Sequence, residues 1–321
     1  MMAADAPSVS VVMPALDAES TIRATLDSVL RQSLAEFELI VVDDGSTDST
    51  AEIVKAIPDP RVKLVQQEHG GAAAARNTGV RAARAPIVTL VDSDDLLLPR
   101  YLECATRALA ERPDAGFVFT EAYVMDAETG RIRRTLATQP YRPTPLPRTA
   151  EELHVALIQG NFIYNAVSMP VAVLDRVGFF DESLRAAIDY EMWLRVAAYG
   201  FCAVGTEGPP LAVYRSGRRG SISSDRERVL TSMIRVYEMS LANNPGSAAA
   251  QRITRERMDF FAAELAAVRG RRSLGALRRR GRDSLARTRR RLRPDTLWFP
   301  RDAPPEGLPL AFPDLFPQGR E

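Results

Sequence analysis

The sequence predicts an α/β fold with a doubly wound, mainly parallel sheet flanked by helices. Short apolar runs rich in β-branched residues alternate with helix-like segments through the first hundred residues, which favours successive βαβ units. Two of these runs end in pairs or triplets of aspartate. In open α/β sheets the carboxyl edge of the strands is where ligands bind, so these aspartates mark a candidate site.

The first half of the chain supplies four predicted strands and three predicted helices. Pro14 closes the first strand, and apolar residues at helical spacing or polar capping residues indicate where the helices begin. The strands are predicted at residues 8–13, 37–42, 62–65 and 87–91. The helices are predicted to begin near Glu19, at residues 46–48 and at Ala72.

The second half is less regular but continues the same domain. Strands are predicted at residues 117–120, 122–125 and 211–214, and helices at 151–158 and 189–199. Residues 140–147 contain four prolines and are predicted to form an irregular loop. We place the end of the globular domain, residues 1–224, near Ser224.

The composition changes after Ser224. Residues 225–293 are predicted to form a helical, arginine-rich extension, and residues 294–321 a proline-rich tail that is extended or disordered in isolation. The leucines between the arginines indicate a basic amphipathic helix: Leu274, Leu277, Leu285 and Leu292. Such a helix suits peripheral contact with an anionic membrane; the alternatives are a solvated helix packed on the domain or a subunit contact. We expect no nucleic-acid partner, because no aromatic platform accompanies the basic run.

Composition and charge indicate an ordinary soluble globular protein. The 321 residues are 45% hydrophobic and 26% charged, with a net charge of +1. The widely separated Cys104 and Cys202 favour reduced thiols, and only two histidines argue against a His-rich zinc site. Residues 1–7 lack the features of a secretory signal, and no run approaches the roughly 18 apolar residues of a membrane span. We therefore expect a cytoplasmic location, with any membrane contact peripheral at the inner face.

The strongest chemical signal is the acidic cluster that follows the fourth strand. Asp92 and Asp94 are two residues apart, so on an extended backbone their side chains point the same way. Such a pair suits one Mg²⁺ or Mn²⁺, which is held by carboxylates together with water and phosphate. The alternative is a solvated turn in which aspartate serves as a turn former.

Three further constellations accompany the cluster. Asp43 and Asp44 end the second strand and suit hydrogen bonds to a base or a ribose, although a helix cap also uses one aspartate. Arg76 lies in an Ala-rich helix after two glycines, where a buried arginine requires an acidic partner. Asp189 stands at a predicted helix N-terminus, which favours a carboxylate, and is either a simple cap or a candidate general base.

Together these segments resemble the family 2 glycosyltransferases, which have the GT-A fold. The resemblance covers about residues 8–224 and depends on seven segments in the order and spacing of the family. These segments are residues 11–14, 41–48, 70–79, 91–95, 178–182, 189–195, and 214–215 with 221–223.

The resemblance implies a reaction and its machinery. Members transfer a sugar from a nucleotide-sugar donor, usually a UDP-sugar, to an acceptor hydroxyl with inversion at the anomeric carbon, often in polysaccharide assembly. Asp189 matches the catalytic base. Asp94 matches the direct ligand of Mg²⁺ or Mn²⁺, with Asp92 beside it. The acceptor is then a saccharide or a lipid-linked saccharide, selected by the loops around Tyr141 and residues 161–165.

The resemblance also implies a set of donor-binding residues. The nucleotide-binding positions are Pro14, Asp17, Asp43, Asp44, Arg76 and Asp92. Arg195, Arg215, Ser221 and Ser223 belong to the segment that often covers the donor phosphates or the acceptor.

The sequence departs from the family at two places. Ile188 precedes Asp189 where many relatives have glutamate, so the acceptor contacts are in question. Residues 216–220 contain arginine but no histidine, and arginine cannot ligate a metal, so the closure of this loop is in question. The alternatives are a nucleotidyltransferase and a catalytically silent sugar-nucleotide binder or scaffold. A dinucleotide-dependent dehydrogenase is disfavoured, because no glycine-rich loop follows the first strand.

Overall fold

The computed structural model of the chain has eleven strands in two sheets among the residues that it describes. It describes residues 6–133, 143, 145–163, 166–206, 208–217, 225–243 and 246–280, with backbone alone for residues 133 and 271–280. The strands are β1 (Val9–Ala15), β2 (Phe37–Asp43), β3 (Val62–Gln66), β4 (Ile87–Leu90), β5 (Leu96–Leu97), β6 (Ala115–Phe119), β7 (Ala122–Asp126), β8 (Ile132–Arg133), β9 (Val167–Pro170), β10 (Cys202–Gly205) and β11 (Ala212–Ser216).

Helices cover both faces of the larger sheet, as predicted for a doubly wound fold. They are α1 (Ile22–Leu30), α2 (Thr50–Lys55), α3 (Ala72–Ala82), α4 (Tyr101–Glu111), α5 (Ala150–Gln159), α6 (Val171–Val177), α7 (Ile188–Ala198), α8 (Arg226–Asn243) and α9 (Ala248–Arg280). Helices α1, α2 and α4 pack on one face, and α3 and α5–α8 contribute to the core on the other. Side chains of β1 alternate between these two cores, as the two-residue period of a strand requires.

The larger sheet has the order β10-β6-β9-β4-β1-β2-β3. Strands β4, β1, β2 and β3 are parallel neighbours, and β9 is antiparallel to both β4 and β6. The four strands predicted in the first half are confirmed, whereas β9 and β10 were not predicted. The smaller sheet has the order β5-β11-β7-β8 and borders the carboxyl end of β4 through β5.

A close approach of α3 to β1 sets the position of the Ala-rich helix. A Cβ added at Gly79 would lie 2.3 Å from Cγ1 of Val12 and 3.2 Å from Cγ2 of Val42. Because only glycine lets the helix axis come this near the sheet, α3 lies directly against β1 and β2. The side chains on its first turns are thereby brought to the carboxyl edge.

The helices that follow residue 224 share the core of the preceding residues. Tyr237 of α8 donates a hydrogen bond to the backbone oxygen of Ile158 at 3.0 Å, and its hydroxyl lies 3.0 Å from that of Tyr190. Val236 and Ala250 are buried in the same core cluster. The domain boundary after residue 224 stays a prediction, but α8 and the start of α9 cover α5 and α7.

Two further predictions concern the cysteines and the absence of a membrane span. Cys104 and Cys202 are both free thiols, as the sequence predicts. Among the described residues, none of the helices is both long and apolar enough to cross a lipid bilayer. Of the basic amphipathic segment, Leu285 and Leu292 lie outside the described residues.

Candidate active site

The acidic cluster forms a tight turn, residues 92–95, rather than an extension of the strand. Strand β4 ends at Leu90, and the backbone N–H of Asp95 donates to the oxygen of Asp92 at 3.0 Å. The expectation of an extended backbone through Asp92 and Asp94 is therefore wrong. The turn nevertheless gathers one carboxylate oxygen from each of Asp92, Asp94 and Asp95 within 4.8 Å of one another.

Asp95 is the member of this group that was not predicted as a cation ligand. It is buried, and its Oδ1 accepts a hydrogen bond from the backbone N–H of Arg215 at 2.9 Å. Burial, and then the charges of Asp94 and Asp92, raise the pKa of Asp95 well above its usual value. Three crowded carboxylates are the ligands that a hard divalent cation prefers, so these residues fit Mg²⁺ or Mn²⁺.

Arg76 connects α3 to the acidic turn. Its guanidinium is buried, and Nη2 donates to Oδ1 of Asp92 at 2.7 Å. The guanidinium carbon lies 5.8 Å from the ring centre of Phe180. Although burial acts to lower the pKa of Arg76, the charges of Asp92, Asp189 and Asp95 raise it above its usual value. The prediction that this buried arginine has an acidic partner is confirmed.

Asp189 is the second residue of α7 and is half-buried in the same site. Burial raises its pKa above the usual value, the charge of Arg76 acts in the opposite direction, and Asp92 adds to the rise. The helix begins after Ala187, which has a positive φ of 54°. A left-handed alanine costs free energy, so the surrounding packing must hold this entry to α7 in place.

Asp43 and Asp44 lie at the carboxyl edge, as predicted, and both are buried. The carboxylate of Asp44 accepts from the side chain of Gln67 at 2.7 Å and from the backbone N–H groups of Gly70 and Gly71 at 2.8 and 2.9 Å. His69 Nδ1 lies 2.9 Å from the same carboxylate. In this structure Asp44 fixes the loop that leads into α3.

Asp43, the last residue of β2, also fixes neighbouring segments through its carboxylate. Its carboxylate accepts from the backbone N–H of Ser46 and from Nε2 of Gln66, each at 3.0 Å. The ends of β2, β3 and the following loop are thus joined by one buried acid. Contacts of Asp43 or Asp44 with a nucleotide stay predictions.

Pro14 and Asp17 lie on the loop after β1. Pro14 pairs with Val42 in the sheet register, so it shares the edge with Asp43. Asp17 is exposed, has a φ of 45°, and accepts from the backbone N–H of Thr47 at 2.8 Å. The two loops that follow β1 and β2 are therefore tied together at the predicted nucleotide site.

Arg215 is brought to the acidic turn through its backbone, within β11. Ser221 and Ser223, predicted with it to cover the donor, lie outside the described residues, as do Tyr141 and residues 164–165 of the predicted acceptor loops. The described site thus contains Asp92, Asp94, Asp95, Arg76 and Asp189.

Comparison with known proteins identifies sequence relatives across most of the chain. Residues 10–168 match the family model described as Glycosyl transferase family 2. The chain is 32% identical over 264 residues to the succinoglycan biosynthesis protein ExoO of Rhizobium meliloti, covering 79% of this chain and 74% of that protein. It is 27% identical over 244 residues to the putative glycosyltransferase EpsH of Bacillus subtilis, covering 74% and 69%.

A third relative matches a shorter stretch. The UDP-Glc:alpha-D-GlcNAc-diphosphoundecaprenol beta-1,3-glucosyltransferase WfgD of Escherichia coli is 44% identical over 96 residues, which is 30% of this chain and 38% of that protein.

Solved structures share the fold. S. aureus TarS 1-349 in complex with UDP-GlcNAc superposes with a TM-score of 0.61 at 22% identity, covering 78% of this chain and 71% of that one. The mannosyltransferase PcManGT from Pyrobaculum calidifontis, in complex with GDP-Man and Mn²⁺, has a TM-score of 0.58 at 24% identity, covering 83% and 76%. These likenesses agree with the predicted α/β architecture.

Proposed function

Because the chain belongs to glycosyltransferase family 2 and has the GT-A fold, we propose that it transfers a sugar from a UDP-sugar to an acceptor hydroxyl with inversion and with a divalent cation. One observation carries the proposal: buried Arg76 interacts with Asp92 of the acidic turn and, electrostatically, with Asp189 of α7. A metal-type carboxylate cluster and a separate half-buried carboxylate therefore belong to one site.

The acidic turn supplies the cation site in this proposal. Asp94 and Asp92, with Asp95 behind them, would hold Mg²⁺ or Mn²⁺. When bound, the cation neutralises the negative charge that develops on the departing nucleoside diphosphate. Arg76 keeps Asp92 oriented toward that position and places a fixed positive charge beside it.

Asp189 is the base in this proposal. As the acceptor oxygen attacks the anomeric carbon, its proton passes to the Asp189 carboxylate while the bond from that carbon to the donor phosphate oxygen breaks. One carboxylate is sufficient, since a single inverting displacement forms no covalent glycosyl intermediate. Burial raises the pKa of Asp189, which makes its carboxylate a stronger base than an exposed aspartate.

The relatives support the donor and the biological setting in this proposal. TarS was solved with UDP-GlcNAc, and WfgD is named as a UDP-glucose-dependent enzyme acting on a diphosphoundecaprenol acceptor. ExoO is named for succinoglycan biosynthesis. We therefore assign this chain to polysaccharide or glycoconjugate assembly, with a saccharide or lipid-linked saccharide as acceptor.

A calorimetric titration with UDP and GDP, each with and without Mn²⁺, tests the donor and metal assignments. We expect Mn²⁺-dependent binding of UDP that is lost in Asp94→Ala and kept in the control Asp59→Asn, whose carboxylate pairs with Arg61 in the loop before β3. Equal UDP affinity with and without Mn²⁺ would contradict metal dependence.

Measuring transfer by the variant Asp189→Asn tests the base. We expect UDP binding to be kept and turnover to fall about 10²- to 10⁴-fold, the range for a lost general base. A control is Asp259→Asn on the exposed part of α9. A fully active Asp189→Asn variant would contradict the assignment of Asp189 as the base.

A further inference from the structure

Asn77, the residue after Arg76, makes a set of contacts that the proposed chemistry does not use. Its side chain is buried, and its Nδ2 donates to the backbone oxygen of Phe180 at 2.9 Å and to Oε1 of Glu182 at 2.8 Å. Its Oδ1 accepts from the backbone N–H of Phe180 at 2.9 Å. One amide therefore satisfies both main-chain groups of a residue 103 positions away in the chain.

These contacts fix the turn that leads from α6 toward α7, residues 178–182. The Phe180 side chain is buried in the core, with the Arg76 guanidinium near its ring. Arg76 and Asn77 thus hold the two sides of one residue: Arg76 the ring and Asn77 the backbone. The position of Phe180 and the position of the Arg76 guanidinium therefore depend on each other.

A second clamp holds the same turn from α7. Arg195 donates to the backbone oxygens of Val177 at 2.7 Å and Phe179 at 2.9 Å, and it is oriented by Glu191 through two bonds of 2.8 Å. The turn is therefore attached to α3 on one side and to α7 on the other. Five residues after the turn, the chain enters α7 through the left-handed Ala187, directly before Ile188 and Asp189.

We propose that Asn77 is a positioning residue for sugar transfer: it holds residues 178–182 against α3 so that Asp189 keeps its place beside Arg76 and the acidic turn. The proposal rests on the assignment of Asp189 as the base. It assigns no contact between Asn77 and substrate. A loss of Asn77 moves the base relative to the donor, so it lowers turnover and leaves the binding of nucleotide largely intact.

The test compares two buried polar residues with the same number of hydrogen bonds. Ser10 of β1 donates to Glu38 at 2.7 Å and accepts from the backbone N–H groups of Arg84 and Ala85 at 3.2 and 3.1 Å, at the amino end of β1. We expect Asn77→Ala and Ser10→Ala both to lower the melting temperature. At a temperature well below both transitions, only Asn77→Ala should lower kcat, by about 10- to 100-fold, with UDP affinity changed by less than about threefold. Wild-type kcat in Asn77→Ala would overturn the proposal.

A second pair of variants exchanges the amide of Asn77 and the carboxylate of Glu182, and so tests the proposal without creating a cavity. Asn77→Asp places a carboxylate where the amide lies 2.8 Å from Glu182, an exposed side chain. We expect this variant to lose turnover and the double variant Asn77→Asp/Glu182→Gln to recover part of it, because glutamine donates to the new carboxylate. Equal kcat in the single and double variants would contradict an action through the turn.

Hydrogen exchange separates this proposal from the proposed function. The backbone amides of residues 183–190 should exchange faster in Asn77→Ala than in Ser10→Ala. This measurement needs no assay of sugar transfer. A wild-type protein that transfers no sugar would refute the proposed function, while unchanged exchange in these residues would refute the role of Asn77.

Discussion

Oδ1 of Asp95 accepts a hydrogen bond from the backbone nitrogen of Arg215 at 2.9 Å, so the acidic turn is joined to β11, 120 residues later in the chain. Asp95 therefore has two roles: it is the third carboxyl group of the turn, and its hydrogen bond fixes the strand that leads into the segment predicted to cover the donor. Substitution can separate the two.

Asp95→Asn should weaken the binding of Mn²⁺ while keeping the contact with β11. Asparagine retains an oxygen acceptor for the Arg215 N–H but removes one carboxylate charge. We expect the affinity for Mn²⁺ in the presence of UDP to fall about 10- to 100-fold, as for other residues that support metal ligands. Electron paramagnetic resonance of free Mn²⁺ measures it. An affinity equal to that of Asp59→Asn would exclude Asp95 from the cation site.

Arg76→Gln should shift the pH profile of transfer. Arg76 opposes the rise in the pKa of Asp189, so without its charge the pKa of Asp189 rises further. A base works only when it is deprotonated, and the acid limb of the kcat profile should therefore move to higher pH. The variant should also lose about 1.5–3 kcal/mol of stability, because the charge-assisted hydrogen bond from buried Arg76 to Asp92 is removed. An acid limb at the wild-type pH would contradict the electrostatic role.

Gly79→Ala should destabilise the fold through α3. The new Cβ would lie 2.3 Å from Cγ1 of Val12, too close for any real contact, so either α3 or the Val12 side chain must shift. We expect a loss of about 1–3 kcal/mol in the free energy of unfolding, measured with urea. Gly270→Ala in α9 is the control, because a Cβ there meets no atom within 4 Å, and it should be neutral or slightly stabilising. Equal effects of the two would contradict the close approach.

The C-terminal segment should separate into a part that supports the fold and a part that contacts membrane. Removing residues 225–321 uncovers the core at Tyr190 and Ile158, so we expect a lower melting temperature. Removing residues 281–321 deletes half of the arginines of the predicted basic segment, those from Arg282 to Arg293, and leaves α8 and α9 in place. We expect that variant to lose binding to vesicles containing anionic lipid. Equal vesicle binding by the full chain and this variant would exclude a membrane contact through residues 281–321, and equal binding after removal of residues 225–321 would contradict the membrane prediction as a whole.

Regular elements could be predicted from sequence, and elements defined by tertiary pairing could not. Strands β1 and β2 carry long apolar runs and were found, whereas β9 has four residues and ends in Pro170, which argues against a central strand. Its place between β4 and β6 comes from antiparallel pairing with both. Helix α4 was missed although its signal was present: Tyr101, Leu102, Ala105 and Leu109 are buried at helical spacing.

The residue types of the site could be predicted from the sequence, but the arrangement of its side chains could be predicted only in part. An acidic partner for Arg76 followed from the need of a buried arginine for a counter-charge, and in the structure this partner is Asp92. Asp95 was missed because the alternation of an extended strand points it away from Asp94, while the real turn brings it back. The partner of Asn77 is 103 residues distant, so no local pattern indicates it.

The packing of α8 on α7 has a consequence for synthesis of the chain. Tyr190 is made 47 residues before Tyr237, whose hydroxyl shares a hydrogen bond with it. A nascent chain that has left the ribosome only as far as α7 lacks the residues of α8 that complete this core. Helix α7, which carries Asp189, is then not yet covered. Folding of the core around α7 is therefore expected to wait for translation of α8, so the last stable assembly step falls late in synthesis.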